Sequence, residues 1–488
     1  MKVSLFIFLL LVPSLDKMLA QQKLLGGLVN CFPLPPINPS SGFLANFDNP
    51  CYATPMNTSR GGHELAGDLN TVYELTFYKV TPGYELVITG TYPNARFFSI
   101  AVYDGHGVQT AGLFDNQIPP LKSSMSNPFL LNATYTPNQL YGATIGWGSP
   151  LPTTVSPGCS TSGTTIDQNF LDASQIHQGL SWNGYPGLPA NFPVHMTGPN
   201  PGGYVIVRSY YDISLEPPPV LIVRNLTTGC AVPVRDTNGI ITNDPFKGNN
   251  WGDSSQTSAH KEFAQSIQPK ECFPPDPQNG VQWGRSPNYI PGYNAGAAYL
   301  HFYLTPSQVK SIRSGNQFIQ MRFQIPVVPD TPCTTGACSL TGQEQLRYRS
   351  ISFLNGHKTL ASLKDDDFVK DPYGNVDLIV GMGTPPPSYV TPENYYTYFD
   401  LSRISGYENL SVVTMRDILP NPTFQCSSFN VPFFYSEYNP EGGYMGNYVP
   451  TVGFPVASQI PQLAAPITRP NTCSALVTQQ PMVCSSGF

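Results

Sequence analysis

Arg96, His106 and Asp115 recur as Arg347, His357 and Asp366, three residue types that together can do chemistry. An imidazole titrates near neutral pH, a guanidinium holds anions, and a carboxylate can orient the imidazole. In each copy the Asp lies nine residues past the His, and the His follows a turn pair, Asp104-Gly105 or Asn355-Gly356. That position is a sheet rim, where loops build sites. Arg208 and Arg416 close two further matching fragments and join the candidate binding set. One reading is an anion-binding or acid–base cluster. The other is structural: Arg pairs with Asp to pin a hairpin, and His caps a turn. The structural reading is preferred, because ion pairs of this kind are common and folding signals must persist in both copies.

Other chemical signals are thin. No Gly-x-Ser-x-Gly elbow occurs, and Gly252-Asp-Ser254 with His260 six residues on has no strand before it. His63-Glu64 and Asp68 form a loose set of ligand types, but the second His of a zinc-protease helix is missing. Asp365-Asp366-Asp367 lacks the spaced acidic loop of a tight calcium site and reads as a solvated turn. There is no Cys-x-x-Cys pair and no phosphate-binding glycine loop. The sequence therefore assigns no catalytic residue, no metal ligand and no cofactor.

The elements that carry these residues form an internal repeat. Arg96-Phe-Phe-Ser-Ile-Ala-Val-Tyr-Asp-Gly-His106 aligns without gaps on Arg347-Tyr-Arg-Ser-Ile-Ser-Phe-Leu-Asn-Gly-His357, at an offset of 251. Across 96–118 and 347–369, six positions are identical. Val205-Ile-Val-Arg208 echoes Val413-Thr-Met-Arg416, Phe77-Tyr78 echoes Phe302-Tyr303, and Cys31-Phe-Pro33 echoes Cys272-Phe-Pro274. The run Glu85 to Pro93 is similar to Gln317 to Pro326. Short runs of Val, Ile, Phe, Tyr and Thr, bounded by Gly, Pro, Asn and Ser, read as strands. In 97–103 both alternating faces are apolar, so both should be covered. Helices should be few and short, the best candidate being Ser258–Ile267 before Pro269. The expected fold is all-β: two tandem homologous antiparallel β-sandwich domains, jelly-roll-like, with long loops. Their expected bounds are 25–250 and 270–455, followed by a Pro- and Gln-bearing tail at 456–488.

Composition sets the surroundings. Only 11% of the 488 residues are charged, the net charge is −6, and no Lys/Arg run exists, which argues against nucleic acid as a partner. With 51 Pro, a helical bundle is excluded as well. Lys2, the apolar run Val3 to Val12, Pro13 and Met18-Leu-Ala20 before Gln21 have the form of a signal peptide over 1–20. No stretch has the ~20 apolar residues of a membrane span. The expectation is a secreted, extracellular chain. Ten Cys then imply up to five disulfides, with Cys333–Cys338 and Cys473–Cys484 as local candidates and the other pairings open. Sequons at Asn57, Asn132, Asn225 and Asn409 predict glycans on surface loops.

Tyr92-Pro-Asn-Ala-Arg-Phe-Phe-Ser99, Tyr103-Asp104, Asp115-Asn-Gln-Ile-Pro119 and Asn127-Pro-Phe129 have a further significance. With Val205-Ile-Val-Arg208, Arg416-Asp-Ile-Leu-Pro420 and Met445-Gly-Asn-Tyr-Val-Pro450, they resemble a family of secreted, mostly bacterial proteins without assigned function. That family is distantly similar to the paired domains of unknown function numbered 1214 and 1254. The resemblance implies β-sandwiches and no particular activity, and Asn94 stands where the family pattern has a basic or aromatic residue. Low charge with abundant Tyr, Asn, Gln, Ser and Thr suits contact with neutral polymers. The expected role is a non-enzymatic structural or binding component of an extracellular matrix, coat or secretion, with polysaccharide or matrix protein as partner. The alternative is a secreted enzyme or small-ligand binder using the Arg/His/Asp set.

Overall fold

The computed structural model describes residues 52–60, 67–104, 109–148, 159, 161, 164–176, 198–199, 202–213, 216–233, 283–285, 294–330, 332, 340–356, 358–431, 436–437 and 445–461. The signal segment, His63, Glu64, His106, the Gly252–His260 region, the 258–267 helix candidate, His357 and most of the tail lie outside them. So do Cys333, Cys338, Cys473 and Cys484.

The chain is all-β, and its sheets stack in four layers. A five-stranded and a six-stranded sheet form the two middle layers, and eight of their strands correspond in order. In the first half they are β1 (Thr71–Lys79), β2 (Phe97–Asp104), β3 (Gln109–Phe114) and β4 (Gly202–Tyr210), in spatial order β1-β4-β2-β3 with Asn57–Arg60 at the edge of β1. In the second half they are β5 (Ala297–Tyr303), β6 (Leu346–Asn355), β7 (Lys358–Lys364) and β8 (Val412–Pro420), in the matching order β5-β8-β6-β7. Trp283–Arg285 and Ser436–Glu437 extend that sheet beyond β5. Every pairing within these two sheets is antiparallel.

The repeat read from the sequence is a repeat of these sheets. Arg208 of β4 faces Ser99 of β2, and Arg416 of β8 faces Ser350 of β6. Both central hairpins shift register, between Val102 and Tyr103 in one and between Phe353 and Leu354 in the other, which are positions 251 apart. Bulges hold their place because they re-aim a strand. One echo is displaced. Phe77 pairs with Tyr204 whereas Tyr303 pairs with Val412, so β1 and β5 correspond with Phe77 opposite in role to Tyr303, not to Phe302.

Alternation along the strands assigns the two faces. Phe98, Ile100, Val102, Val205 and Val207 point into a core shared with the outer sheet of the first half, where they meet Leu86, Ile88, Ala143 and Ile145. Ile351, Phe353, Val413 and Met415 do the same in the second half, against Met321, Phe323, Leu378 and Val380. Those outer sheets run Ala53–Pro55, Val220–Asn225, Tyr84–Thr91, Leu140–Gly146, Phe170–Asp172 in one half and Tyr396–Asp400, Asn375–Gly381, Ile319–Gln324, Thr451–Gly453 in the other. Each departs from the antiparallel rule once: Leu140–Gly146 with Phe170–Asp172, and Asn375–Gly381 with Tyr396–Asp400, are parallel.

The remaining faces of the middle sheets pack on each other. Phe97, Phe114 and Tyr210 join Ala297, Tyr348 and Ile418 in one buried cluster across the seam between the halves. This explains why all eight residues of β2 are buried. One α-helix is described, Pro306–Arg313, capped by Thr305, whose side chain accepts from the Gln308 N–H.

Candidate functional site

The seam is apolar at one set of positions and charged at another, and the charged set contains the sequence candidates. Arg208 lies mid-strand on β4 between Tyr73 of β1 and Ser99 of β2. Arg416 lies mid-strand on β8 between Tyr299 of β5 and Ser350 of β6. Both are buried, at 3% and 1% exposure. Guanidinium groups so placed stack on aromatic faces. Arg208 sits 5.9 Å from the Tyr73 ring centre and 5.2 Å from that of Tyr103, and Arg416 sits 5.0 Å from that of Tyr299.

Asp68, just before β1, reaches across the seam. Its Oδ2 accepts from Arg416 Nη1 at 2.7 Å, Ser350 Oγ at 2.6 Å and the Tyr348 hydroxyl at 2.9 Å. Its neighbours follow: the Leu69 N–H donates to Ser362 Oγ at 3.2 Å and Thr359 donates to the Gly67 carbonyl at 2.7 Å. Burial works against the Arg416 charge, but Asp68 and the surrounding phenols outweigh it and hold the guanidinium pKa well above its ordinary value.

The repeated Arg and Asp pair across the seam, not within their own hairpins. Arg96 bridges to Asp365, and its Nη2 lies 2.8 Å from Asp366 Oδ2. Reciprocally, Arg347 Nε lies 3.5 Å from Asp115 Oδ2 in the first half. Arg347 also donates to the Phe129 carbonyl at 3.2 Å, giving the Asn127-Pro-Phe129 segment a place on the second half. Burial pushes the Asp115 carboxyl up to about 6, against the pull of Arg347 and the Asn116 N–H. Tyr211 covers Arg96 at 5.0 Å and Lys364 at 4.6 Å.

Each described sequence candidate therefore has a position. Arg96 and Asp366 form one cross-seam pair, Arg347 and Asp115 the other, and Arg208 and Arg416 lie in the sheets between them. The contacts of the first-half candidates run to other residues: Arg96 to Asp366, Asp115 to Arg347, and Arg208 to the rings of Tyr73 and Tyr103. The acidic triplet is engaged with cations: Asp365 and Asp366 with Arg96, and Asp367 with Lys364. Among the described residues no group of three or more His, Cys, Asp or Glu side chains could hold a metal ion.

Sequence reasoning missed part of the seam. Asp68 was visible only as a possible ligand beside His63 and Glu64, because nothing local shows that a loop before one sheet docks on another. His301 was missed as well. It is half-buried on β5, its Nδ1 lies 2.7 Å from Thr414 Oγ1, and its ring is parallel to that of Tyr299. A polar residue inside the apolar run Tyr299-Leu-His-Phe-Tyr303 was the available signal.

Among the sequons, Asn132 and Asn409 are exposed outside strands, whereas Asn57 opens an edge strand and Asn225 ends one. The Asn225 Oδ1 accepts from the Thr227 N–H at 2.8 Å, leaving its amide nitrogen as the modifiable atom. A disulfide joins Cys159 to Cys230, 71 residues apart, and Cys426 is also disulfide-bonded. No helix among the described residues is long and apolar enough to cross a membrane.

No protein-family model and no curated protein matches the sequence. Solved structures similar to it include an uncharacterized protein from Burkholderia cenocepacia, at 12% identity over 91% of this chain and 97% of that one, with a TM-score of 0.42. Another is a protein from Vibrio parahaemolyticus, at 9% identity over 85% of this chain and 96% of that one, with a TM-score of 0.36. Likenesses this distant carry no function over.

Proposed function

We propose that the chain is a secreted, disulfide-bonded glycoprotein with a structural or binding role in an extracellular matrix, coat or secretion, and that it is not an enzyme. One observation carries this reading: the duplicated Arg and Asp residues, the strongest chemical signal in the sequence, are spent on joining two sheets. Arg96 pairs with Asp365 and Asp366, and Arg347 lies 3.5 Å from Asp115, each across the seam. A guanidinium engaged in this way is less available to a substrate at a rim. The remaining features agree in kind. A 71-residue disulfide loop suits an oxidising compartment, and the exposed Asn132 and Asn409 suit glycans. A low-charge surface rich in hydroxyls and amides suits neutral polysaccharide or matrix protein as partner.

The test is fractionation of the source tissue or culture, followed by N-terminal sequencing. The expected chain begins near Gln21, shifts in mass on deglycosylation, and stays with the insoluble extracellular fraction until chaotrope is added. A chain that retains Met1 and stays inside the cell would overturn the reading.

A further inference from the structure

The outer sheet of the first half holds a charged group that takes no part in the seam. In the strand Tyr84–Thr91, Leu86 and Ile88 point into the core, so Glu85 points outward with Val87. Glu85 is fully buried, and its Oε1 accepts from Arg224 Nε at 2.5 Å, on the neighbouring strand Val220–Asn225. Arg224 is fully buried too, and its Nη2 reaches Asp167 Oδ1 at 2.5 Å and Thr144 Oγ1 at 3.3 Å. One arginine thus serves two carboxylates, and the Glu85 Oε2 lies buried with no hydrogen-bond partner. On its other side Glu85 meets the strand Leu140–Gly146, where a Cβ on Gly146 would stand 3.6 Å from that oxygen. Among the described residues, Arg224 and Asp167 are the charged groups that act on Glu85. The outward face of the other outer sheet is balanced instead. There Asp377 takes Gln320 on one oxygen and Arg322 on the other, each at 2.8 Å.

Asp167 belongs to a strap, residues 164–173, laid along the edge of that sheet. The Thr165 N–H donates to the Leu121 carbonyl at 3.0 Å, the Asn169 carbonyl accepts from the Thr144 N–H at 3.0 Å, and the Ala173 N–H donates to the Gly146 carbonyl at 2.9 Å. Ile166 is buried against Val87, Leu121 and Ile222. The Asp167 side chain is 38% exposed, so water can take the place of Arg224 there. The disulfide from Cys159 to Cys230 ties the chain ahead of the strap to the end of the Arg224 hairpin, where the Cys230 carbonyl accepts from the Asn225 N–H at 2.9 Å. A released strap therefore swings on a tether.

We propose that Glu85, Arg224 and Asp167 form a proton-operated latch on the strap. With a proton on Glu85, Asp167 is the counter-ion of Arg224 and the strap is held down. Loss of that proton gives Arg224 a buried anion of its own, leaves the group with one positive and two negative charges, and loosens the strap. Burial, against the pull of Arg224 and with a push from Asp167, raises the Glu85 carboxyl from 4.5 to about 7. A carboxyl held higher in the shut form than in water favours the shut form when protonated. Its contribution is whole below about pH 4.5 and is lost as pH rises through about 7. Loosening lifts Ile166 off the apolar surface made by Val87, Leu121 and Ile222. The latch is independent of the matrix role and survives its failure.

The experiment is hydrogen exchange of the full chain at pH 6, 7 and 8, read by mass spectrometry on peptides covering 164–173 and corrected for the intrinsic pH dependence of exchange. For a Glu85 carboxyl at about 7 when shut and 4.5 when hydrated, opening of the strap should rise about tenfold from pH 6 to pH 8. Glu85→Gln fixes the protonated form and should remove that step, with the strap protected throughout. Asp167→Asn, at a partly exposed position, leaves the core intact and should raise exchange at pH 6 toward the pH 8 level. Corrected exchange that is level from pH 6 to pH 8, or a step that persists in Glu85→Gln, would overturn the proposal. So would an Asp167→Asn strap as protected at pH 6 as that of the unaltered chain.

Discussion

Asp115 and Asp68 are both fully buried acids facing arginine across the seam, yet they are satisfied to different degrees. Asp68 takes three donors on one oxygen. The Asp115 Oδ2 accepts no hydrogen bond and meets Arg347 only at 3.5 Å, so burial wins and its pKa rises from 3.8 to about 6. The sign of the consequence follows from linkage. A carboxyl whose folded pKa lies above its unfolded value favours the fold when protonated. Its contribution is whole below about pH 4 and is lost as pH rises through about 6. A proton held roughly a hundredfold more tightly in the fold is worth at most about 3 kcal/mol. Thermal melts from pH 7.5 to pH 5 should therefore show this site gaining stability on acidification. Asp115→Asn should flatten that part of the profile and raise Tm at pH 7.5. A variant that keeps the wild-type slope between pH 5 and 7 would contradict the assignment to Asp115.

At the scale of elements, the β6–β7 connection shows how local code and register divide the work. Asn355-Gly356 reads as a tight turn, and a turn is there. However, Asn355 still pairs with Lys358, and Gly356, at φ +57°, carries the left-handed conformation. A Cβ on Gly356 would meet nothing within 4 Å, so the strain of a substitution is purely backbone. Gly356→Ala should cost about 1–2 kcal/mol, read from the denaturant midpoint with the slope unchanged. Loss of less than half that would mean the turn relaxes. Strands, turns and the repeat were legible because they are short-range: alternation in 97–103 and Gly after Asn or Asp state themselves. The Pro306–Arg313 helix also has its signature, Thr305-Pro-Ser-Gln308, whereas the expected helix at 258–267 lies outside the described residues. The parallel edge pairs were not legible, since direction depends on where a long connection returns.

At the scale of the molecule, the seam explains what the sequence showed and could not interpret. Both faces of β2 are buried, yet one sandwich needs only one buried face of that sheet; the second cover is the middle sheet of the other half of the chain. The matched Arg and Asp stand close together along the chain, a spacing that predicts pairs within their own hairpins. Instead Arg96 meets Asp366 and Arg347 meets Asp115, a reciprocal exchange of the kind found in a symmetric dimer, where residue i meets j and j meets i. Phe97, Phe114, Tyr210, Tyr348 and Ile418 are each at most 2% exposed there, and the guanidinium groups of Arg96 and Arg416 have their carboxylates on the opposite half. Separating the copies would expose that apolar face and strand buried charges, a penalty of several kcal/mol per broken pair. Residues 25–250 and 270–455 expressed alone should therefore bind a hydrophobic dye and aggregate, whereas co-expression should return a one-to-one complex with the unfolding profile of the intact chain. Two soluble, dye-silent monomers with unchanged melting would mean that the seam is dispensable and that the pairs across it add nothing to the fold.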